Sequence, residues 1–149
     1  MIEAKVTLTH AAGSGRQFVA RTGGGHHLLI DDKDGLTGPK PIELVAAGLA
    51  GCTAMDVITI LRKKRKAVTG YEVFVEAEQA PQPPAVFTSV RIRHVITGVE
   101  VDEKSVAEAI RLSEEKYCAV GNMVNKTAQL TTTFEIVAAS DAVPAAVGR

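Results

Sequence analysis

The sequence predicts an α+β domain with mainly antiparallel sheet. Three observations carry this. Several short segments alternate apolar and polar residues with the two-residue period of a half-buried strand. Two segments carry apolar residues at helical spacing instead. Turn-forming residues stand at the joints, and the order along the chain is strand, strand, strand, helix, strand, strand, helix, strand.

Residues 2–9 set Ile2, Ala4, Val6 and Leu8 against Glu3, Lys5, Thr7 and Thr9. Gly13-Ser14-Gly15 signals a turn, and residues 16–21 complete a hairpin. Gly23-Gly24-Gly25 turns the chain again before a short strand at 27–31. No helix opens after these glycines and no Lys-Ser/Thr follows, so they are a turn and not a phosphate loop. Asp32-Lys33-Asp34-Gly35 begins a loop that runs through Pro39 and Pro41.

Residues 41–65 read as a long helix. Pro41 suits the first helical position, where no amide donor is needed. Glu43 lies in the first turn and Arg62-Lys63-Lys64-Arg65-Lys66 at the end, both favourable to the helix dipole. No aromatic residues interleave the basic run, so it reads as a helix-end cap and not as a nucleic-acid patch. The middle of the helix is apolar nearly all round, and Ala46, Ala47, Gly48, Ala50, Gly51 and Ala54 are small. A helix without a polar face must be covered on every side. A chain of 149 residues cannot easily enclose it alone. A second copy would supply the cover, which predicts an intertwined homodimer.

Tyr71, Val73, Val75 and Ala77 alternate with Glu72, Phe74, Glu76 and Glu78 in the next strand. Ala80-Pro81-Gln82-Pro83-Pro84 is a stiff loop. Residues 87–97 form a strand with Val90, Ile92 and Ile96 on one face. Asp102 is placed to cap a second helix, whose apolar face holds Val106, Ile110 and Tyr117. Cys118 falls at or just past its end, and a short helical turn through Met123 follows. Leu130, Thr132, Phe134 and Ile136 share one face of the last strand. There is no internal repeat and no linker. Residues 1–138 therefore read as one domain and 139–149 as a loose tail.

Composition narrows the function classes. Lys+Arg and Asp+Glu are both 17, so no net field draws nucleic acid or an anionic membrane. The N-terminus lacks a basic segment followed by an apolar one, and the longest uncharged apolar stretch, 44–55, is 12 residues. A spanning helix needs about 20. The expectation is a soluble, cytoplasmic protein. Two cysteines, Cys52 and Cys118, are not a structural disulfide framework in a reducing compartment. They are either inert buried thiols or reactive ones. His26 and His27 point to opposite strand faces, and His10 and His94 stand apart, so no metal site and no cofactor are expected. No Gly-x-Ser-x-Gly elbow marks a hydrolase.

Two segments carry a resemblance. Gly38-Pro39-Lys40-Pro41-Ile42-Glu43-Leu44-Val45-Ala46-Ala47-Gly48-Leu49-Ala50-Gly51-Cys52 and Glu115-Lys116-Tyr117-Cys118 resemble the two cysteine motifs of the OsmC/Ohr family. Ala54-Met55-Asp56-Val57 and Ser113-Glu114-Glu115-Lys116-Tyr117-Cys118 are similar to its YhfA-like branch. The resemblance implies the OsmC-like fold, an intertwined homodimer with long central helices packed between antiparallel β-sheets. It implies a thiol peroxidase for organic hydroperoxides, regenerated by a dithiol reductant. Cys52 would be the peroxidatic cysteine and Cys118 the resolving one. A thiolate attacks the peroxide bond and becomes a sulfenic acid, and a second thiol condenses with it to a disulfide.

The family's active members also use a Glu and an Arg. Glu43 stands one residue later than the family Glu, a rotation of about 100° on a helix. It precedes Cys52 by about 13 Å of helix, so any contact between the two comes from a partner chain. Arg16 is the nearest candidate for the family Arg, with Arg21 second. Ala119 follows Cys118 where peroxidases commonly have Pro. Asp56 lies one turn beyond Cys52 and should raise the thiol pKa. A peroxidatic Cys52 therefore requires a cationic group within about 4–6 Å. The alternative is a non-catalytic OsmC-like dimer acting as a redox sensor or hydrophobic-ligand-binding protein.

Overall fold

Alternation becomes sheet as expected. The structure, a computed structural model, describes residues 1–9, 15–32 and 37–139. β1 (Ala4–Leu8), β2 (Phe18–Thr22) and β3 (His27–Ile30) form an antiparallel sheet in that order. Val6 pairs with Ala20, and Ala20 with Leu28. Gly25 has φ 84 in the β2–β3 turn, a conformation that a side chain would strain. The turn residues Gly13 and Ser14, His10, the loop at 33–36 and the tail from 140 lie outside the described residues. These strands belong to a compact unit that ends at Val45, and a second unit begins at Ala46.

Helix α1 (Pro41–Lys63) begins at proline, as its sequence directs. Its buried residues are Leu49, Thr53, Val57 and Leu61, a single stripe at four-residue spacing. The opposite side is open: Met55 is 73% exposed, and Gly48 and Gly51 have nothing within 4 Å of where a Cβ would stand. By length and composition alone α1 could cross a membrane. The helix stops at Arg65, which takes φ 59. Arg65 N donates to Arg62 O and Lys66 N to Leu61 O, the paired closure of a Schellman end with arginine in the left-handed position.

The second unit is built on β4 (Ala67–Gln79), β5 (Phe87–Val99) and β6 (Gln129–Ala138), with β5 central. β4 and β5 are an antiparallel hairpin, whereas β5 and β6 run parallel. The parallel pairing follows from connectivity, because a helical crossover separates these strands and a tight hairpin does not. Three of the four strand pairings among the described residues are antiparallel. Val57 and Leu61 of α1 share a core with Ile96 of β5 and with Val106, Ala109 and Ile110 of α2 (Glu103–Leu112). Truncating Leu61 to alanine there should cost about 2–5 kcal/mol.

Asp102 caps α2 by accepting from Ser105 N at 2.8 Å. Lys66 Nζ reaches the other carboxylate oxygen of Asp102 at 2.6 Å, and Lys64 Nζ reaches Glu108 at 2.6 Å. The basic run thus ends one helix and pairs with the next.

α2 does not continue to Cys118 as an α-helix. At Ser113–Tyr117 it widens into a π-helical turn, closed by Cys118 N donating to Ser113 O at 2.8 Å. The wider turn shifts the phase of the helix. Tyr117, expected on the apolar face, is consequently 50% exposed. α3 (Ala119–Val124) follows and is the short helical turn expected through Met123.

Lys66 and the Ser105 amide hold the Asp102 carboxyl well below its ordinary value of 3.8. Stability from a depressed carboxyl is present above the unfolded pKa and is lost as pH falls through the folded one. Wild type should therefore melt above Asp102→Asn at pH 7. The gap should close as pH falls below 3.8. Scanning calorimetry across that range checks it, and a gap independent of pH would contradict the pairing.

Candidate functional site: two thiols beside Asp56

Four-residue spacing on α1 sets the first half of the site. Cys52 and Asp56 lie one helical turn apart and are both half-buried, with buried Thr53 beside them. The π-helical turn sets the second half by bringing Cys118, which is 3% exposed, to the same place. The two sulfurs and an Asp56 carboxylate oxygen all lie within 4.8 Å of one another. Both cysteines are free thiols.

Hydrogen bonds fix this arrangement. Ser113 Oγ, fully buried, donates to Asp56 Oδ2 at 3.0 Å and shares a second bond with Thr53 Oγ1 at 3.2 Å. Gly121 N donates to Cys118 Sγ at 3.2 Å. A Cβ on Gly121 would stand 3.1 Å from that sulfur, so the residue is small where α3 must approach the thiol.

Burial pushes the Cys118 thiol up to about 12. The hydrogen bond to Cys52 and the charges of Cys52 and Asp56 act the same way, and only the Gly121 amide opposes them. No cation is among the described groups acting on Cys118. Cys118 also lines a cavity of about 180 Å³, between apolar Leu49, Ile92 and Leu130 and polar Glu114 and Asn122.

A half-buried tyrosine and a buried histidine form a second pair, within reach of the Asp56 charge. Tyr71 Oη and His94 Nδ1 share a hydrogen bond of 2.7 Å. His94 is fully buried on the inward face of β5, and burial lowers its pKa to about 4. Burial, then the Asp56 charge, pushes the Tyr71 hydroxyl above its ordinary range. His94 Nε2 has no hydrogen-bond partner among the described residues.

Of the residues singled out from sequence, the structure brings Cys52, Cys118 and Asp56 together. Glu43 and Arg16 belong to the first unit and are engaged within it. Glu43 Oε2 accepts from Lys40 N at 2.8 Å, a helix-start bond that lowers its carboxyl pKa. Arg16 Nη2 lies 2.5 Å from Asp32 Oδ2. Sequence reasoning missed Ser113, Thr53, Gly121, Tyr71 and His94. Ser113 carried a signal: it is a serine three residues after Ile110, on the face that should be apolar.

An α+β chain with cysteines at the middle of a long helix and after a second one is the pattern of the OsmC-like proteins. The OsmC-like protein family profile matches residues 31–133, and the chain belongs to that family. It is 37% identical over 125 residues to Protein YhfA of Escherichia coli K12, covering 84% of this chain and 93% of that one. A crystal structure of a hypothetical protein from Aquifex aeolicus VF5 superposes with TM-score 0.81 at 30% identity, covering 93% and 97% of the two chains. An organic hydroperoxide resistance protein from Elizabethkingia anophelis superposes with TM-score 0.68 at 16% identity, covering 92% and 96%, which is a likeness of fold.

The buried imidazole gives a prediction. Its folded pKa lies below the ordinary 6.5, so its contribution to stability is present above 6.5 and is lost as pH falls towards 4. The full loss should be roughly 3 kcal/mol. NMR should show the His94 ring neutral at pH 6, with stability falling across that window. A His94 ring that titrates near 6.5 would contradict it.

Proposed function

We propose that this protein is a thiol-dependent peroxidase that reduces organic hydroperoxides through Cys52 and Cys118. The observation that carries this reading is the meeting of two sulfurs from distant parts of the sequence, within 4.8 Å and beside a cavity. Solved neighbours on the same fold are named organic hydroperoxide resistance proteins, which supports the substrate class.

Burial divides the roles. Cys118 is buried and keeps its proton, so Cys52, half-buried, is the attacking sulfur. The Cys52 thiolate breaks the O–O bond, takes one oxygen to become a sulfenic acid, and the alkoxide leaves as an alcohol after taking a proton. Cys118 sulfur then displaces the sulfenic hydroxyl, which leaves with the Cys118 hydrogen as water. The resulting disulfide takes two electrons from a dithiol reductant and returns both thiols.

The Asp56 carboxylate beside the two sulfurs calls for a cation in a peroxidase, and a second copy of the chain is the source in this reading. Met55 of α1 is exposed, as are Val6, Leu8, Leu28 and Leu29 of the first unit. A homodimer would cover such apolar surface. It would also bring the partner's charges to the thiols, with Arg16 offsetting Asp56 and Glu43 orienting Arg16. A cytoplasmic location fits, because thiols stay reduced there.

Asp56 favours a second reading. A carboxylate beside two thiols disfavours the thiolate. A non-catalytic dimer acting as a redox sensor or hydrophobic-ligand-binding protein would tolerate that.

Thiol counting separates the two. Reduced protein is mixed with cumene hydroperoxide or with hydrogen peroxide, and free thiols are followed over time. Both thiols should vanish within seconds, faster with the organic peroxide. Cys52→Ser should abolish the reaction, and Cys118→Ser should stop at the sulfenic acid. Thiols unchanged after many minutes would overturn the peroxidase reading.

A further inference from the structure

We propose that reduced Cys52 and Cys118, together with Asp56, form a binding site for a soft divalent cation of the Zn²⁺ class. The ligands would be both Sγ atoms and one carboxylate oxygen, with a fourth position left to solvent. The expectation of no metal site rested on the scattered histidines. The structure offers instead two thiols and a carboxylate.

Geometry carries the proposal. Tetrahedral zinc with Zn–S near 2.3 Å and Zn–O near 2.0–2.2 Å sets its ligand atoms roughly 3.5–3.8 Å apart. Here the three atoms lie within 4.8 Å of one another, so small side-chain movements reach that spacing. Cys52 and Asp56 are four residues apart on one helical face, the spacing by which a helix offers two ligands to one ion. Cys118 approaches from another element, which closes a three-sided cup. Thiolate donors select zinc-class ions over magnesium or calcium.

The surroundings match those of a metal site. Metal ligands are held by outer hydrogen bonds. Ser113 Oγ orients the Asp56 carboxylate, and Gly121 N donates to Cys118 Sγ. A dication would also offset a convergence of acidic groups that has no cation among the described groups acting on Cys118. Both sulfurs are used by the ion, so metal and oxidant compete. Forming the disulfide removes two ligands and releases the ion, with no change in its charge.

The site needs only these three side chains and does not rest on peroxidase activity. Cobalt(II) serves as the probe on the reduced full-length protein. One Co²⁺ per chain should bind, with a thiolate-to-cobalt charge-transfer band and tetrahedral visible bands, all removed by one equivalent of Zn²⁺. Cys52→Ser and Cys118→Ser should each abolish the charge-transfer signature of two sulfurs. Asp56→Asn should weaken binding by about tenfold or more, and Ser113→Ala, which keeps every ligand, by roughly tenfold. Circular dichroism establishes that each variant is folded. No charge-transfer band in the wild-type protein, or a band that survives Cys118→Ser unchanged, would overturn the site. Metal binding in a peroxide-inert protein would leave the site standing and remove the peroxidase.

Discussion

The hydrogen bond from Ser113 to Asp56 joins the two halves of the site. It ties the π-helical turn that ends in Cys118 to the helix that carries Cys52. Without the wider turn, Cys118 would leave α2 at a different angle. Without the carboxylate, the fully buried serine hydroxyl would keep only its bond to Thr53 Oγ1. Asp56 opposes ionisation of Cys118, yet it anchors the element that delivers that sulfur. Its presence is understandable on structural grounds before any chemistry is assigned to it.

Low polarity governs three titratable groups at and near the site. Burial keeps Cys118 and Tyr71 protonated and His94 neutral. Among the described groups acting on Cys118, Cys52 and Asp56 add negative charge and none adds positive charge. Two kinds of cation can balance it: an arginine from a partner subunit, or a metal ion held by the sulfurs. The two lead to different chemistry. An arginine leaves Cys52 able to attack, whereas an ion occupies it.

Much of the fold was legible in the sequence. The strands were marked by alternation, α1 by Pro41 and its terminal charges, and the start of α2 by Asp102. What escaped depends on single-residue shifts in helical phase. A π-helical turn leaves no period of its own, so a regular helical period places Tyr117 on the apolar face, whereas the structure exposes it. His94 was also hidden: it follows Val90 and Ile92 at the strand period, but its partner Tyr71 lies on another strand. The meeting of Cys52 and Cys118 was anticipated only through motif resemblance, because no local pattern links two such distant positions. Glu43 and Arg16 were named the same way, and the roles the structure shows for them are a helix-start bond and an ion pair with Asp32.

Peptide mapping without reduction tests the central claim most directly. Reduced protein is treated with one equivalent of hydroperoxide, alkylated and digested, and the cross-linked peptides are identified by mass spectrometry. A single intrachain bond between the Cys52 and Cys118 peptides is the outcome this account requires. Alkylated Cys52 and Cys118 recovered separately, or a bond only between two copies of Cys52, would contradict it.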